Sequence, residues 1–128
     1  MFALYYYLTY IYVHKIVIMA YAKTELFDVQ LQQTAEFFKA LAHPARLQIL
    51  KYLAETKTCI TGDISEELPL SRTTVNQHLT ELKKVGLIMG HVEGVKTNYC
   101  LNPDVISRVK TMLEDFLTDV DCCKVQNC

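Results

Sequence analysis

The stretch SRTTVNQHLTELKKVG, residues 71–86, constrains the fold more than any other part of this sequence. Ser71 is a good N-terminal helix cap, and Gly86 follows two lysines that suit the last turn of a helix. Val75, Leu79 and Leu82 form one apolar stripe, whereas the opposite face is polar. The stretch therefore predicts an amphipathic helix with defined ends.

Further helices are predicted before this one. Apolar residues recur with helical periodicity over residues 26–41, and Pro44 suits the first turn of the next helix. A short helix is predicted in residues 58–70, where Pro69 marks the stop. The inner faces of the second and the short helix are expected to carry Leu47, Leu50, Leu53, Ile60, Ile64 and Leu68.

A hairpin and a last helix are predicted after residue 86. The segments LIMGHV (87–92) and TNYCL (97–101) suit strands, and Gly94 permits a tight turn between them. Asn102 and Pro103 then cap and open a helix. Its apolar stripe is expected to contain Val105 or Ile106, Val109, Met112 or Leu113, Phe116 and Val120.

Short helices, a helix with a polar face and a two-stranded hairpin predict a fold that is mainly α with a β-hairpin, a winged helix-turn-helix. Such a module places its second helix in the major groove of double-stranded DNA and lays the hairpin over the neighbouring backbone. Arginine suits guanine edges, Asn and Gln suit adenine, and hydroxyl groups suit phosphates. The alternative is an ordinary solvated face. The residues expected to contact DNA from this helix are Ser71, Arg72, Thr73, Thr74, Asn76 and Gln77.

Three more residues complete the expected interface. His78 lies among the polar residues of the helix, and we interpret it chiefly as a structural imidazole near the buried edge. His91 and Lys96 flank the hairpin tip, where Lys96 is a plausible phosphate contact. A solvated lysine is the alternative.

Composition limits the function classes. The chain has 13 basic and 14 acidic residues, so DNA binding must come from a local patch. Catalysis is not expected, because no paired carboxylates or Gly-rich phosphate loop occur in the sequence. Five cysteines without a convincing secretory cleavage site favour free thiols in a reducing compartment, the cytoplasm by default.

Residues 1–22 differ from the rest of the chain. They contain one formal charge, Lys15, and six of the eight tyrosines, a composition that suits neither a membrane span nor a signal peptide. We expect a misassigned start, with Met19 as the true one. An extra packed element and a membrane anchor are the alternatives, although no membrane partner is expected. The predicted organisation is this extension, a domain over 23–120 and a tail over 121–128.

The segments FFKALAHPARLQILKYL, SRTTVNQHLTELKKVGLI and HVEGVKTNYCLNP together resemble the ArsR family of metal-responsive winged-helix repressors. The resemblance covers roughly residues 30–119 and implies a dimeric repressor that leaves its operator when an inducer binds. A single winged helix touches few bases, so two copies on a pseudo-palindrome are expected. We predict a homodimer through the first and last helices, whose surplus apolar residues are Phe27, Phe37, Phe38 and Phe116.

The sensing sites of other family members are absent from the corresponding positions. Where the arsenic-sensing form has its thiols, this sequence has Ile60, Gly62 and Ser65, and Cys59 is one residue out of register. The last helix also lacks the histidine of the zinc- and cobalt-sensing pattern. Both departures direct attention to the C-terminal tail.

The tail carries Cys122, Cys123 and Cys128. Adjacent cysteines are poor disulfide partners, because their Cα atoms are only about 3.8 Å apart. Three soft thiolates without an oxygen or imidazole ligand suit a pyramidal three-coordinate ion, As(III) or Sb(III), better than tetrahedral zinc. Some family members resemble this one in such a C-terminal site. Alternatives are another soft metal, a redox or persulfide sensor that uses Cys128 or Cys100 with one of the adjacent pair, or incidental tail cysteines on a repressor with another signal. Cys59 and Cys100 are interpreted as structural, the first as a small apolar filler and the second as pointing outward on the hairpin.

Overall fold

The computed structural model describes residues 23–56, 59–61 and 64–121. The chain divides into two compact units, residues 1–35 and 36–128. The predicted N-terminal extension and the cysteines of the tail lie outside the described residues. Helices span Val29–Leu41 (α1), Pro44–Thr56 (α2), Arg72–Lys84 (α3) and Pro103–Asp119 (α4), with a 3-10 helix at Ile64–Glu67; strands span Ile60–Thr61 (β1), Ile88–Glu93 (β2) and Lys96–Leu101 (β3).

The helix starts follow from local caps. The Asp28 carboxylate accepts hydrogen bonds from the backbone N–H groups of Gln30 and Leu31, at 3.1 and 3.4 Å, and so caps α1. His43 caps α2, because its Nδ1 accepts a bond from the Ala45 N–H at 3.1 Å. The predicted first-turn position of Pro44 is confirmed.

The inner face of α2 differs from the prediction. Ile49 is fully buried and Leu53 nearly so, whereas Leu47 is 48% exposed. Leu50 is half-buried against the core. The buried stripe of α2 therefore consists of Ile49 and Leu53, which are four residues apart. The prediction that Leu47 faces the core is wrong.

The three strands form one antiparallel sheet in the order β1-β3-β2. The predicted hairpin is confirmed, with Glu93 opposite Lys96 across the turn and Gly94 at φ +62°. A strand, β1, was not predicted: Ile60 lies opposite Tyr99. Among the described residues of the predicted helix 58–70, only 64–67 adopt a short helix. Pairing with β3 therefore overrides the four-residue apolar spacing in this segment.

The core lies between α2, α3, α4 and the hairpin. Each of these elements contributes an apolar face, and Arg108 of α4 additionally lies over the Phe37 ring at 5.8 Å. Among the described residues, no helix is long and apolar enough to cross a membrane. The buried apolar residues are Phe37, Ala40, Ile49, Leu53, Ile64, Leu68, Val75, Leu79, Leu82, Leu87, Ile88 and Val109.

Candidate nucleic-acid interface

Helix α3 is fixed in place at its N-terminus and along its inner face. Ser71 adopts the extended conformation of an N-cap, and its Oγ accepts a hydrogen bond from the Thr74 N–H at 3.3 Å. Val75, Leu79 and Leu82 are buried, as the sequence predicts. The rotation of the helix is therefore set by this stripe, which leaves its polar face outside.

The C-terminus of α3 is closed by a Schellman motif. The Gly86 N–H donates to the Lys83 carbonyl at 3.0 Å, and the Leu87 N–H donates to the Leu82 carbonyl at 3.1 Å. Gly86 adopts φ +77°, a conformation that an L residue adopts at a cost. This turn leads the chain directly from α3 into β2.

The exposed face of α3 presents most of the residues expected to contact DNA. Arg72, Thr73, Asn76 and Gln77 are exposed. Thr74 is half-buried, and its hydroxyl lies 2.9 Å from the Ser71 hydroxyl. These two hydroxyl groups therefore belong to the helix cap, and the exposed polar surface of α3 that could face DNA consists of the other four side chains.

His78 lies at the buried edge of this face, where it stacks on His43. The two ring centroids are 4.2 Å apart, at an angle of 39°. Burial, followed by the neighbouring His43 and Arg46, lowers the pKa of His78 below its usual value. The uncharged imidazole is therefore favoured near neutral pH, in agreement with the structural interpretation of this residue.

A shallow open hollow adjoins the histidine pair. It is lined by residues of α2 and α3, and the Thr80 hydroxyl beside it donates back to the Asn76 carbonyl at 2.9 Å. The pKa of the Glu81 carboxyl is lowered from its ordinary value, chiefly by a hydrogen bond that it accepts from Lys84. The residues that line this hollow are Arg46, Gln77, His78, Thr80 and Glu81.

The wing, defined as the β2–β3 hairpin over residues 88–101, carries the second part of the interface. His91 and Lys96 are exposed, as expected for contacts with a DNA backbone. Two apolar side chains are exposed beside them, Val92 and Val95, of which Val95 lies in the turn. Neither valine was among the residues expected to contact DNA, although both lie within two residues of Gly94 at the hairpin turn.

Lys83 joins the recognition helix to the wing. A Cβ atom at Gly90 would lie 3.1 Å from the Lys83 Nζ and 3.4 Å from a ring carbon of Tyr99. Glycine at position 90 thus lets the lysine side chain lie across the strand. The Lys83 ammonium group therefore lies where α3 meets β2, and a positive charge there would suit a nearby DNA phosphate.

The structure also joins Cys59 and Cys100 in a disulfide, with Cα atoms 4.5 Å apart. The prediction of free thiols is therefore wrong for this pair. Cys59 is exposed rather than a buried apolar filler, and Cys100 is half-buried. Their contact depends on the pairing of β1 with β3, which the apolar spacing of the sequence did not indicate.

Among the described residues, no group of three or more His, Cys, Asp or Glu side chains is arranged to hold a metal ion. The tail cysteines lie beyond residue 121 and are outside this search. The described part of the chain thus contains a candidate interface for DNA, formed by α3 and the wing, and a disulfide that joins Cys100 of the wing to Cys59.

A capped helix with a short polar outer face, set beside an exposed β-hairpin, defines a winged helix-turn-helix DNA-binding protein. The model of the arsR family of bacterial regulatory proteins matches residues 43–89, from the cap of α2 into β2. This chain belongs to the ArsR family of DNA-binding transcriptional repressors, whose members are regulators rather than enzymes.

Individual relatives agree with this assignment. An uncharacterised helix-turn-helix transcriptional regulator of Methanocaldococcus jannaschii is 33% identical over 84 residues, which cover 66% of this chain and 94% of the relative. A transcriptional repressor SmtB homologue of Synechocystis is 30% identical over 92 residues, which cover 72% and 69%. The solved structure of a possible transcriptional regulator for arsenical resistance matches with TM-score 0.56 and 25% identity, over 62% of this chain and 81% of that chain.

Proposed function

We propose that this chain is an arsenite-responsive repressor that leaves its operator when As(III) or Sb(III) binds the tail thiols. The observation that carries the proposal is the placement of Cys122, Cys123 and Cys128 directly after the last helix. Thiolates select soft ions, and three sulfur ligands without an imidazole suit a three-coordinate ion. These cysteines lie outside the described residues, so the proposal rests on their number, their spacing and the helix that precedes them.

Helix α4 connects the tail to the rest of the domain. Its C-cap is Val120, whose N–H donates to the Phe116 carbonyl at 3.1 Å. The Phe116 ring packs edge to face on Phe38, with the centroids 5.4 Å apart. An ion that binds the thiols after Val120 would therefore act on a helix end that is packed against α1.

The same helix supports a homodimer. Leu113, Leu117 and Val120 follow one face at intervals of four and three residues and are 40%, 54% and 55% exposed. A monomer gains nothing from an exposed apolar stripe of this kind, whereas a second copy would bury it. A two-fold pair through α4 would present two α3 helices to the half-sites of a pseudo-palindrome.

These features give a consistent route for induction. The inducer binds at the end of the helix that would form the dimer contact, and the spacing of the two recognition helices depends on that contact. Binding of the ion lowers DNA affinity only to the extent that the ion prefers the DNA-free arrangement. The similarity to a transcriptional repressor SmtB homologue supports repression, and the similarity to a possible transcriptional regulator for arsenical resistance supports a response to a thiophilic ion.

The test is fluorescence anisotropy of a labelled duplex from the region upstream of this chain's own gene. Reduced protein is titrated onto the duplex, and arsenite is then added, with zinc as the comparison ion. We expect arsenite to release the parent and a Gln126→Ala control, which keeps all three tail thiols, but not Cys122→Ser with Cys123→Ser. Release of the double serine variant at the same arsenite concentration would refute the proposed site.

A further inference from the structure

The disulfide partners face each other where the sheet continues beyond its last paired residues. Ile60 of β1 lies opposite Tyr99 of β3 in an antiparallel register. One step further along this register brings Cys59 opposite Cys100, and their Cα atoms are 4.5 Å apart. This separation lies within the range that disulfides require, so the backbone already holds the two sulfur atoms in reach of each other.

The bond encloses the whole DNA interface. Cys59 and Cys100 are 41 residues apart in sequence. The segment between them contains the 3-10 helix, all of α3, all of β2 and most of β3. Both the recognition helix and the wing therefore lie on a covalently closed ring of chain when the bond is formed.

The strand that the bond secures is short. β1 contains two residues, Ile60 and Thr61, and an isolated pairing of this length is marginal in water. The other edge of β3 is held by β2 over six residues. The disulfide is thus a major constraint on β1 and on the entry of the chain into the helix-turn-helix.

Solvent reaches this bond from one side. Cys59 is exposed and Cys100 is half-buried. Accessible disulfides are the ones that small thiols reduce readily, whereas shielded ones resist. A thiol that approaches the surface would attack the Cys59 sulfur and release Cys100 as the leaving thiolate.

We propose that Cys59 and Cys100 form a reversible redox site, separate from the tail, whose disulfide fixes β1 on the wing and raises affinity for DNA. The oxidant is a peroxide. The Cys59 thiolate attacks one peroxide oxygen and becomes a sulfenic acid, while the second oxygen leaves as water after protonation. The Cys100 thiol then displaces the hydroxyl group as a second water and completes the S–S bond. Two molecules of a small thiol reduce the S–S bond back to the Cys59 and Cys100 thiols and are themselves joined in a disulfide.

The disulfide should raise the affinity for DNA because it orders α3 and the wing. When the bond is present, the ring that carries α3 and the wing loses conformational freedom before DNA binds. Because less freedom remains to be lost on binding, the oxidised form should bind DNA more tightly. We expect an affinity ratio of about five or more between the two forms, a typical size for coupling between sites.

The experiment uses the full chain with the substitutions Cys122→Ser, Cys123→Ser and Cys128→Ser. Only Cys59 and Cys100 can then react. Protein is equilibrated in reduced or oxidised glutathione or with hydrogen peroxide, free thiols are alkylated, and the mass of the peptides that contain Cys59 and Cys100 is measured. Hydrogen exchange of the backbone amides of β1 and β3 is followed in each form. DNA affinity is measured by anisotropy with the operator duplex and with an unrelated duplex. Cys59→Ser and Cys100→Ser, each made singly, are matched controls that cannot form the bond.

The proposal requires three results together. Both thiols must convert reversibly to a disulfide in the folded protein, exchange in β1 must be faster in the reduced form, and DNA affinity must fall about fivefold on reduction in the parent alone. Failure of glutathione to open the bond, or equal exchange in both forms, would overturn it. So would a redox change that leaves binding to both duplexes unaltered. Arsenite release by the tail is tested with other variants, so either proposal can fail without the other.

Discussion

Replacement of Gly86 by alanine tests whether the end of the recognition helix is set by backbone conformation. Gly86 has φ +77°, and a Cβ atom there would lie 3.6 Å from Val105 Cγ2, which is ordinary van der Waals contact. The substitution therefore introduces no clash. Its cost comes from the left-handed conformation alone, about 1–2 kcal/mol for an L residue.

This cost should appear in the free energy of unfolding measured by urea denaturation of the disulfide-bonded protein. We expect the midpoint to fall and the slope to stay constant, because the surface exposed on unfolding does not change. Gly86→Asn is the matched variant, since asparagine tolerates the left-handed region better and should cost less. Gly94→Ala is a second comparison: it has φ +62° and no atom within 4 Å of an added Cβ.

Alanine should lower the free energy of unfolding by similar amounts at both glycines, and the two costs should add in the double variant. A Gly86→Ala protein within about 0.5 kcal/mol of the parent would refute it, because the left-handed conformation would then carry no penalty. Asparagine that destabilises more than alanine would refute it as well. In that case the space around Val105, and not the backbone, would control the end of α3.

Three further outcomes are expected. Lys96→Ala should weaken binding to all DNA sequences equally and reduce the slope of log affinity against log salt by about one, measured by anisotropy at several salt concentrations. Gln77→Ala should instead cost about 1–3 kcal/mol on the operator and little on unrelated DNA, which competition with single-base operator variants would detect. The pKa of His78 is lowered in the folded chain from its ordinary value of 6.5. As the pH falls through and below 6.5, the unfolded chain therefore binds more protons than the folded chain. The free energy of unfolding should fall on this acidification. His78→Gln should flatten this part of the profile in urea titrations at successive pH values.

The sequence predicts the helix ends well because the caps are local. Ser71 and Asn102 cap α3 and α4 as expected, and Gly86 ends α3. Each of these features depends on hydrogen bonds between residues only a few positions apart. The apolar stripe of α3 was equally predictable, because its spacing matches one face of a helix over about two turns.

The errors arise where a distant partner decides the outcome. Ile60 belongs to a helical spacing in the sequence but pairs with Tyr99 in the structure. The Cys59–Cys100 disulfide depends on that same pairing and was missed with it. Leu47 was expected inside because leucines repeat every three residues, whereas packing selects Ile49.

The sequence predicts which helix and which hairpin form the candidate DNA interface, but not the contacts of each side chain in it. Arg72, Asn76 and Gln77 are exposed on α3 as expected. The hydroxyl of Thr74 pairs with the cap instead, a contact that the residue type alone does not specify. His78 was expected at a buried edge, yet its stacking partner His43 comes from the start of another helix.

The two proposed cysteine sites would act on different properties of the same repressor. The disulfide between Cys59 and Cys100 encloses α3 and β2, so it acts on the order of the DNA-contacting surface within one subunit. The tail thiols follow α4, whose exposed stripe is the proposed contact between subunits. An inducer bound at the tail would therefore act first on the contact between subunits, on which the spacing of the two recognition helices would depend. Oxidation would act first on the recognition surface of each subunit, and the two signals would combine in the affinity for DNA because both surfaces must bind together.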